Sequence, residues 1–319
     1  MENIVKKIQN TAFQNNLWLK GSKIIVGVSG GTDSSCLLDI LAKLASKYHF
    51  ELMVAHVNYG LRGKDSRKDE EFVRGLSRKY GLKSSFLKPS FREMTEENLR
   101  HIRYRFFERL RKENNFDFIA VAHNLDDQVE TYLMHVIRGT GLAGLGAMKY
   151  KRNRIIRPLL GVSRKEILEY LKINKLKYRV DRTNKETKYL RNKVRHKLIP
   201  YLKKNFNPNI KSTIFKAAES VAEDYDFISD YSSGIYEKNK ELQVRKILRF
   251  HPALQRRVLL LALLEKKKNL KNIEASHIRE LIKMLKSTKG KIQKMSFLKL
   301  KIVKKGDKVS INDNKQHKQ

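Results

Sequence analysis

Through the first half of the chain, short and almost wholly apolar runs alternate with longer stretches whose apolar positions recur at helical spacing. That is how parallel strands joined by crossover helices read. Residues 23–28, 51–57, 84–86 and 116–122 read as strands, and 34–48, 67–80 and 96–114 as the helices between them. The runs IIVGV and FIAVA are apolar on both faces, which a strand needs only when helices cover both sides of its sheet. The prediction is an α/β domain on a doubly wound, mostly parallel sheet, with ligands beyond the carboxyl ends of the strands.

After Leu160 the pattern changes to lysine-rich helices, broken by Pro200 and by NFNPN at 205–209, which reads as a domain boundary. A second, smaller and mainly helical domain follows, including ALQRRVLLLALLEKK and ASHIRELIKMLKS, with Ser276 as a helix start. In FLKLKIVKKGDKVSI, Leu298, Leu300 and Ile302 alternate with lysines before a KKGD turn, predicting a closing hairpin. The expected domains are therefore 1–205 and 206–311, with 312–319 a disordered tail.

Lysine and arginine outnumber the acidic residues by 69 to 33, a formal net charge of +36. An excess of one sign on that scale suits a polyanionic partner, because each phosphate neutralised releases bound counterions. A lysine-rich proteome would raise lysine without any nucleic acid. The excess is uneven, however: residues 149–204 hold 20 Lys or Arg against 4 acids, so the polyanion is expected across that segment. The one cysteine, Cys36, excludes an intramolecular disulfide and a paired-cysteine metal or sulfur-transfer site within the chain, and reads as core packing. MENIVKKIQNTAFQ is too polar for a signal peptide, and the longest apolar run, 258–264, is too short for a membrane span. A cytoplasmic protein with no membrane partner is expected.

Between the first strand and the first helix stands SGGTDSS, residues 29–35. A loop of the pattern GxxxxGKS/T places a lysine on the outer phosphates of a nucleotide; this one contains none. Ser29, Gly30, Gly31, Thr32, Asp33, Ser34 and Ser35 offer backbone N–H groups, hydroxyls and one carboxylate at a helix N-terminus, where dipole and unpaired donors favour negative charge. Such a cradle suits a departing pyrophosphate. Asp33 would repel phosphate directly and makes sense through Mg²⁺. An ordinary turn capped by Thr32 or Asp33 would use the same residues.

SGGTDSS is similar to the SGGxDS signature of the PP-loop, or N-type ATP pyrophosphatase, superfamily, whose members cut ATP between the α and β phosphates. With AHVNYGLRG at 55–63, AHNLDDQVET at 122–131, RGTGLAGLGAM at 138–148, RPLL at 157–160 and DRTNKETKYLRNKVRHKLIP at 181–200, the first 200 residues resemble the bacterial tRNA(Ile)-lysidine synthetase family. HPALQRRVLL at 251–260 resembles that family's first helical C-terminal domain, and the length leads to the expectation of a short form. The resemblance implies ATP and Mg²⁺ as cofactors, and tRNA(Ile) with a CAU anticodon and free L-lysine as partners. It implies that the wobble cytidine is adenylated with release of pyrophosphate, and that lysine then displaces AMP from C2 of the base. The sequence does not decide between a monomer and a homodimer.

Within those segments, His123, Asp126, Asp127 and Glu130 fall at i, i+3, i+4 and i+7, so one helical face carries an imidazole and three carboxylates that need a cation. Mg²⁺ or the ammonium groups of the substrate lysine would serve; alternatively Asn124 and Asp127 form a capping box. The expected catalytic residues are Asp33, Asp127, Glu130 and His123, with Asp33 and Asp127 as metal ligands. His56 and Asn58 are candidates for the adenosine, and Arg138 and Gly139, in a glycine-rich stretch, for phosphate. Arg191, Asn192 and Arg195 are candidates for the tRNA backbone, because arginine pairs bidentately with phosphate; a solvated helix face is the competing reading. Trp18, Tyr59, Tyr150 and Tyr189 are stacking candidates, though core or rim roles fit each. Thiolation of a tRNA base would share the adenylation step but needs cysteines this chain lacks. A non-catalytic basic RNA-binding module would not need the loop intact.

Overall fold

The N-terminal segment, unassigned by the alternating pattern, forms α1 (Ile4–Gln14), with Ile4, Ile8 and Ala12 buried at four-residue spacing along one side. From there β1 (Lys23–Gly27), α2 (Thr32–Tyr48), β2 (Glu51–Val57), α3 (Lys64–Lys79), β3 (Lys83–Leu87), α4 (Glu96–Glu113) and β4 (Phe118–Ala120) follow the expected order. The chain then forms α5 (Leu125–Arg138), α6 (Leu142–Leu145), β5 (Lys151–Arg152), β6 (Ile155–Ile156), α7 (Arg164–Ile173), α8 (Leu190–Lys193) and α9 (Ile199–Asn205). The computed structural model describes residues 3–61, 63–90, 95–179, 190–238, 240–267, 273–290 and 292–313. Tyr189 lies outside them.

The six strands run in the order β3-β2-β1-β4-β6-β5, all parallel except the edge strand β5. Alternation along the strands splits their side chains between two cores. Ile24, Val26, Leu52 and Val54 pack with Leu37, Leu41 and Val73 from α2 and α3, while Ile25, Met53, Ala55 and Ile119 pack with Phe106, Phe107 and Leu110 from α4. Helices thus cover both faces, which is why these strands are apolar throughout. Strand order reverses between β1 and β4, so the connections leaving those two strands diverge and open a crevice at their carboxyl ends. Gly27 is required there: a Cβ on it would stand 2.8 Å from the ring of Phe107.

Readings of the second half differ from the structure at several points. Pro200 does not break the helical run, because residues Val194–Leu198 form a π-helical turn just before it; a wide turn absorbs the missing N–H of proline. The two compact units divide at Met1–Ala222 and Glu223–Gln319 rather than at 205/206. The reason is α10 (Ile210–Lys238), whose start packs Ile214 and Phe215 against Val129, Val194 and Ile199. NFNPN is therefore a helix–helix turn inside the first unit.

The second unit contains β7 (Leu242–Gln243), α11 (Val244–Arg249), α12 (Pro252–Lys267), α13 (Ala275–Lys286), β8 (Gln293–Phe297), β9 (Leu300–Lys305) and β10 (Lys308–Asp313). The predicted hairpin is part of a four-stranded antiparallel sheet in the order β7-β10-β9-β8. Leu298 sits in the β8–β9 turn at φ 53°, not in a strand. Helix α13 starts at Ala275 on Glu274, one residue before the predicted Ser276. The predicted tail begins inside β10; residues 314–319 lie outside the described ones. Among the described residues, no helix is long and apolar enough to cross a membrane.

Cys36 and Trp18 are core residues, Trp18 meeting Tyr48 and Phe50 edge-on. Below the crevice, Asp39 is 3% exposed and accepts hydrogen bonds from the hydroxyls of Tyr80 at 2.6 Å and Tyr170 at 2.5 Å. Its remaining partner is Lys43 at 2.9 Å, half exposed. Asp39→Ala leaves the two hydroxyls without their acceptor, so a loss of about 1–3 kcal/mol per unpaired group is expected, against less than about 1 kcal/mol for Lys43→Met. Urea unfolding followed through the fluorescence of Trp18 measures both.

Candidate active site

The loop leaving β1 turns into α2 within four residues, and its geometry depends on Gly30. That residue sits at φ +88°, and a Cβ there would meet Phe72 at 3.3 Å and Val73 at 3.4 Å, so both conformation and space select glycine. Gly31 is the N-cap of α2 in extended conformation. The hydroxyls stitch the turn together: Ser34 Oγ accepts from Ser29 N at 3.2 Å and donates to Gly31 O at 3.2 Å, while Ser35 Oγ donates to Gly30 O at 3.3 Å. From the outside Arg179 N donates to Gly30 O at 2.8 Å. The result is a braced turn that leads into the first-turn N–H groups of α2, a ready anion seat.

A cavity of about 640 Å³ opens over this loop, lined by Ser29, Gly31, Thr32, Asp33 and Ser34 together with Tyr59, Arg103, Tyr104, His123 and Asp127, and by Arg164, Arg179 and Arg195. It is large enough for a nucleotide-sized ligand. Burial raises the pKa of Asp33, opposed by Arg164, whose Nη1 lies 4.0 Å from Oδ2, and reinforced by the charge of Asp127.

Asp127 belongs to α5, whose start is a capping box: Asn124 Oδ1 accepts from Asp127 N at 3.0 Å, and Asp127 Oδ2 from Asn124 N at 3.1 Å. The predicted cap and the predicted site thus coincide. His123 precedes the helix, so the four-residue helical face reduces to three carboxylates with separate fates. Asp126 accepts from Arg164 N at 2.9 Å and from Lys211, off the cavity wall. Asp127 faces the cavity, with Arg195 Nη2 at 3.4 Å. Glu130 is 1% exposed beneath it and is clasped by Arg195, Nη2 to Oε2 at 2.9 Å, with Arg191 Nε at 3.5 Å. Burial raises the pKa of Glu130 against the pull of Arg195.

Two arginines expected on the tRNA are therefore tied to Glu130, and Arg191 also donates to Thr131 Oγ1 at 3.2 Å. Asn192 lies between them on α8. Other candidates fall elsewhere. His56 is buried on the α3 side, its Nδ1 paired with Val28 O at 2.8 Å, and Asn58 donates to Glu70 at 2.8 Å and accepts from Gly60 N at 2.9 Å. Both brace the strand ends below the loop. Arg138 and Gly139 end α5, eleven residues past Asp127, or about 16 Å along the helix. Neither lines the cavity. Tyr150 donates to Glu219 at 3.0 Å.

Sequence reading missed Arg103, Tyr104, Arg157, Arg164 and Arg179. Only Arg164 carried a local signal, since Ser163 and Glu166 form a capping box that marks a helix start beside it. Asp33 and Asp127 fit Mg²⁺, which takes one or two carboxylates and completes its shell with phosphate and water oxygens. Among the described residues no cluster of three or more His, Cys, Asp or Glu competes for it.

A family model described as a PP-loop domain matches residues 1–202. The tRNA(Ile)-lysidine synthase of Clostridium tetani is 39% identical over 298 residues, 89% of this chain and 64% of that protein. The protein of that name from Caldanaerobacter subterraneus is 34% identical over 304 residues, 91% of this chain and 65% of the relative. The chain thus spans a little under two thirds of the length of these relatives. A U34-tRNA thiolase of Methanococcus maripaludis superposes with a TM-score of 0.56 at 23% identity, over 69% of this chain and 79% of the thiolase, which shows the fold.

Asp33 yields a pH-dependent prediction for the metal-free protein. Its pKa is raised by folding, so between the unfolded and folded values the native state holds the extra proton and stability falls as pH rises. Asp33→Asn is expected to raise the melting temperature near neutral pH. The gain should vanish below the ordinary carboxylate range, where both states are protonated; thermal unfolding at the two pH values measures it.

Proposed function

The chain belongs to the PP-loop domain family, and from that premise we propose that it modifies tRNA by adenylating a base and then joining an amine to it. The base is the wobble cytidine of a CAU-anticodon tRNA(Ile), and the amine is the ε-amine of L-lysine. One observation carries the adenylation step: a lysine-free glycine loop at a helix N-terminus, with Asp33 and Asp127 facing one nucleotide-sized cavity. The choice of substrates rests on the 39% identity to a tRNA(Ile)-lysidine synthase.

The C2 oxygen of cytosine is a poor leaving group, so an amine cannot displace it directly. Its attack on the α-phosphorus of ATP breaks the bond to the β-phosphate and turns it into a phosphate ester. The departing pyrophosphate gathers charge, which the first-turn N–H groups of Thr32, Asp33 and Ser34 and the guanidinium of Arg164 are placed to receive. Mg²⁺, held by Asp33 and Asp127, would supply charge neutralisation at the phosphates. Lysine nitrogen then attacks C2 and expels AMP, and must first lose a proton, since its free pKa is about 10.4. Asp127 is the carboxylate at hand: Glu130 is spent on Arg195. Water-poor surroundings and the nearby arginines lower the amine pKa in the same direction.

Thiolation lacks a sulfur relay here, because burial pushes the Cys36 thiol far above its usual range. The test is incubation of purified protein with ATP, lysine and CAU-anticodon tRNA(Ile), followed by mass spectrometry of the nucleosides. The expected product is cytidine heavier by lysine minus water, absent with Asp33→Ala. An unmodified cytidine from a preparation that nonetheless releases pyrophosphate would remove lysine as the amine and leave adenylation standing.

A further inference from the structure

Arg157 is a buried cation that the adenylation chemistry leaves without a task. It follows β6, is 4% exposed, and donates Nη1 to Lys149 O at 2.8 Å and Nε to His123 Nδ1 at 3.3 Å. Its other close neighbours are Tyr104, Arg100 and Arg152, and none of these supplies a carboxylate. His123 in turn lines the same cavity as the glycine loop.

A guanidinium has five N–H donors and no acceptor. The nitrogen facing Arg157 Nε must therefore offer a lone pair, because a protonated Nδ1 would set N–H against N–H. A neutral imidazole carries one proton, and with Nδ1 bare that proton belongs to Nε2. We propose that Arg157 is a positioning residue that locks His123 as the neutral Nε2–H tautomer, making His123 a hydrogen-bond donor to a phosphoryl oxygen in the cavity rather than a proton acceptor. Burial, the largest influence, and the charges of Arg157, Arg103, Arg100 and Arg191 all disfavour a second proton. A neutral donor has a chemical advantage: it stabilises charge developing on the oxygen without forming an ion pair in the ground state. The corollary is that the amine's proton goes to another group. The tautomer stands on geometry alone, whereas the donor role rests on the adenylation reading.

Nitrogen NMR of histidine-labelled, ligand-free protein reads the tautomer directly, with the His123 signals identified by their loss in His123→Gln. The expected spectrum has Nδ1 unprotonated and Nε2 protonated, and in Arg157→Met a protonated Nδ1 population appears. A protonated Nδ1 in the unsubstituted protein overturns the proposal, as does an unchanged imidazole in an Arg157→Met protein that keeps its Trp18 fluorescence. Should Arg157→Met fail to fold, the spectrum of the unsubstituted protein decides alone. The donor role is read from tRNA-dependent pyrophosphate release: glutamine keeps an N–H near the Nε2 position but cannot act as a base. His123→Gln should retain about tenfold more turnover than His123→Ala, and equal losses contradict the donor role. If the unsubstituted protein releases no pyrophosphate with any tRNA, the functional reading fails while the tautomer is still read from the spectrum.

Discussion

Negative charge crowded into one crevice is the constraint around which the first unit is arranged. Asp33 stands in the first turn of α2 and Asp126 and Asp127 in the first turn of α5, at the point where the strand order reverses between β1 and β4. Helix N-termini reward such carboxylates, but burial penalises them, and the raised pKa values of Asp33 and Glu130 show burial ahead. The unit answers with arginine. Arg164 approaches Asp33, and Arg195 and Arg191 close on Glu130, which would be costly if left alone. The cavity-facing pair, Asp33 and Asp127, receives only one longer arginine contact each, from Arg164 at 4.0 Å and from Arg195 at 3.4 Å.

That division of labour explains how a cradle without lysine can manage phosphates. In the proposed reaction the loop would provide directional N–H donors, Arg164 a cation at the wall, and the two aspartates a place for a divalent ion that screens them from the ligand. Positive charge is thus delivered from outside the loop. A lysine inside it would instead compete with the metal for the same carboxylates. Glu130 acts one layer down, holding Arg195 so that it can hold Asp127.

Strands β1 to β4 and the glycine loop were legible because both are written locally, as apolar runs and as a glycine pair between a strand and a helix, whereas β5 and β6, at two residues each, are too short to show a pattern. Asp127 was legible for the same reason, and the structure makes it both the capping partner of Asn124 and part of the cavity lining. The residues whose partners were not legible share a different trait. Arg191 and Arg195 read as phosphate binders because a basic run shows charge and not its partner, and Glu130 lies 65 residues from Arg195. His56 and Asn58 sit one residue either side of the cavity-lining Val57, and strand alternation turns His56 to the opposite face. Arg157 had no local signal, as its meaning comes from His123, 34 residues away. The boundary at 205/206 failed because NFNPN looks like a linker, whereas contacts made by Ile214 and Phe215 bind the following helix to the first unit.

At the centre stands the claim that ATP is cut on the inner side of its β-phosphorus, with a lysine-free loop receiving the outer two phosphates. Phosphorus NMR of the products formed from ATP in the presence of tRNA, lysine and magnesium tests it most directly. AMP and pyrophosphate in equal amounts are the predicted products. ADP and orthophosphate would contradict it.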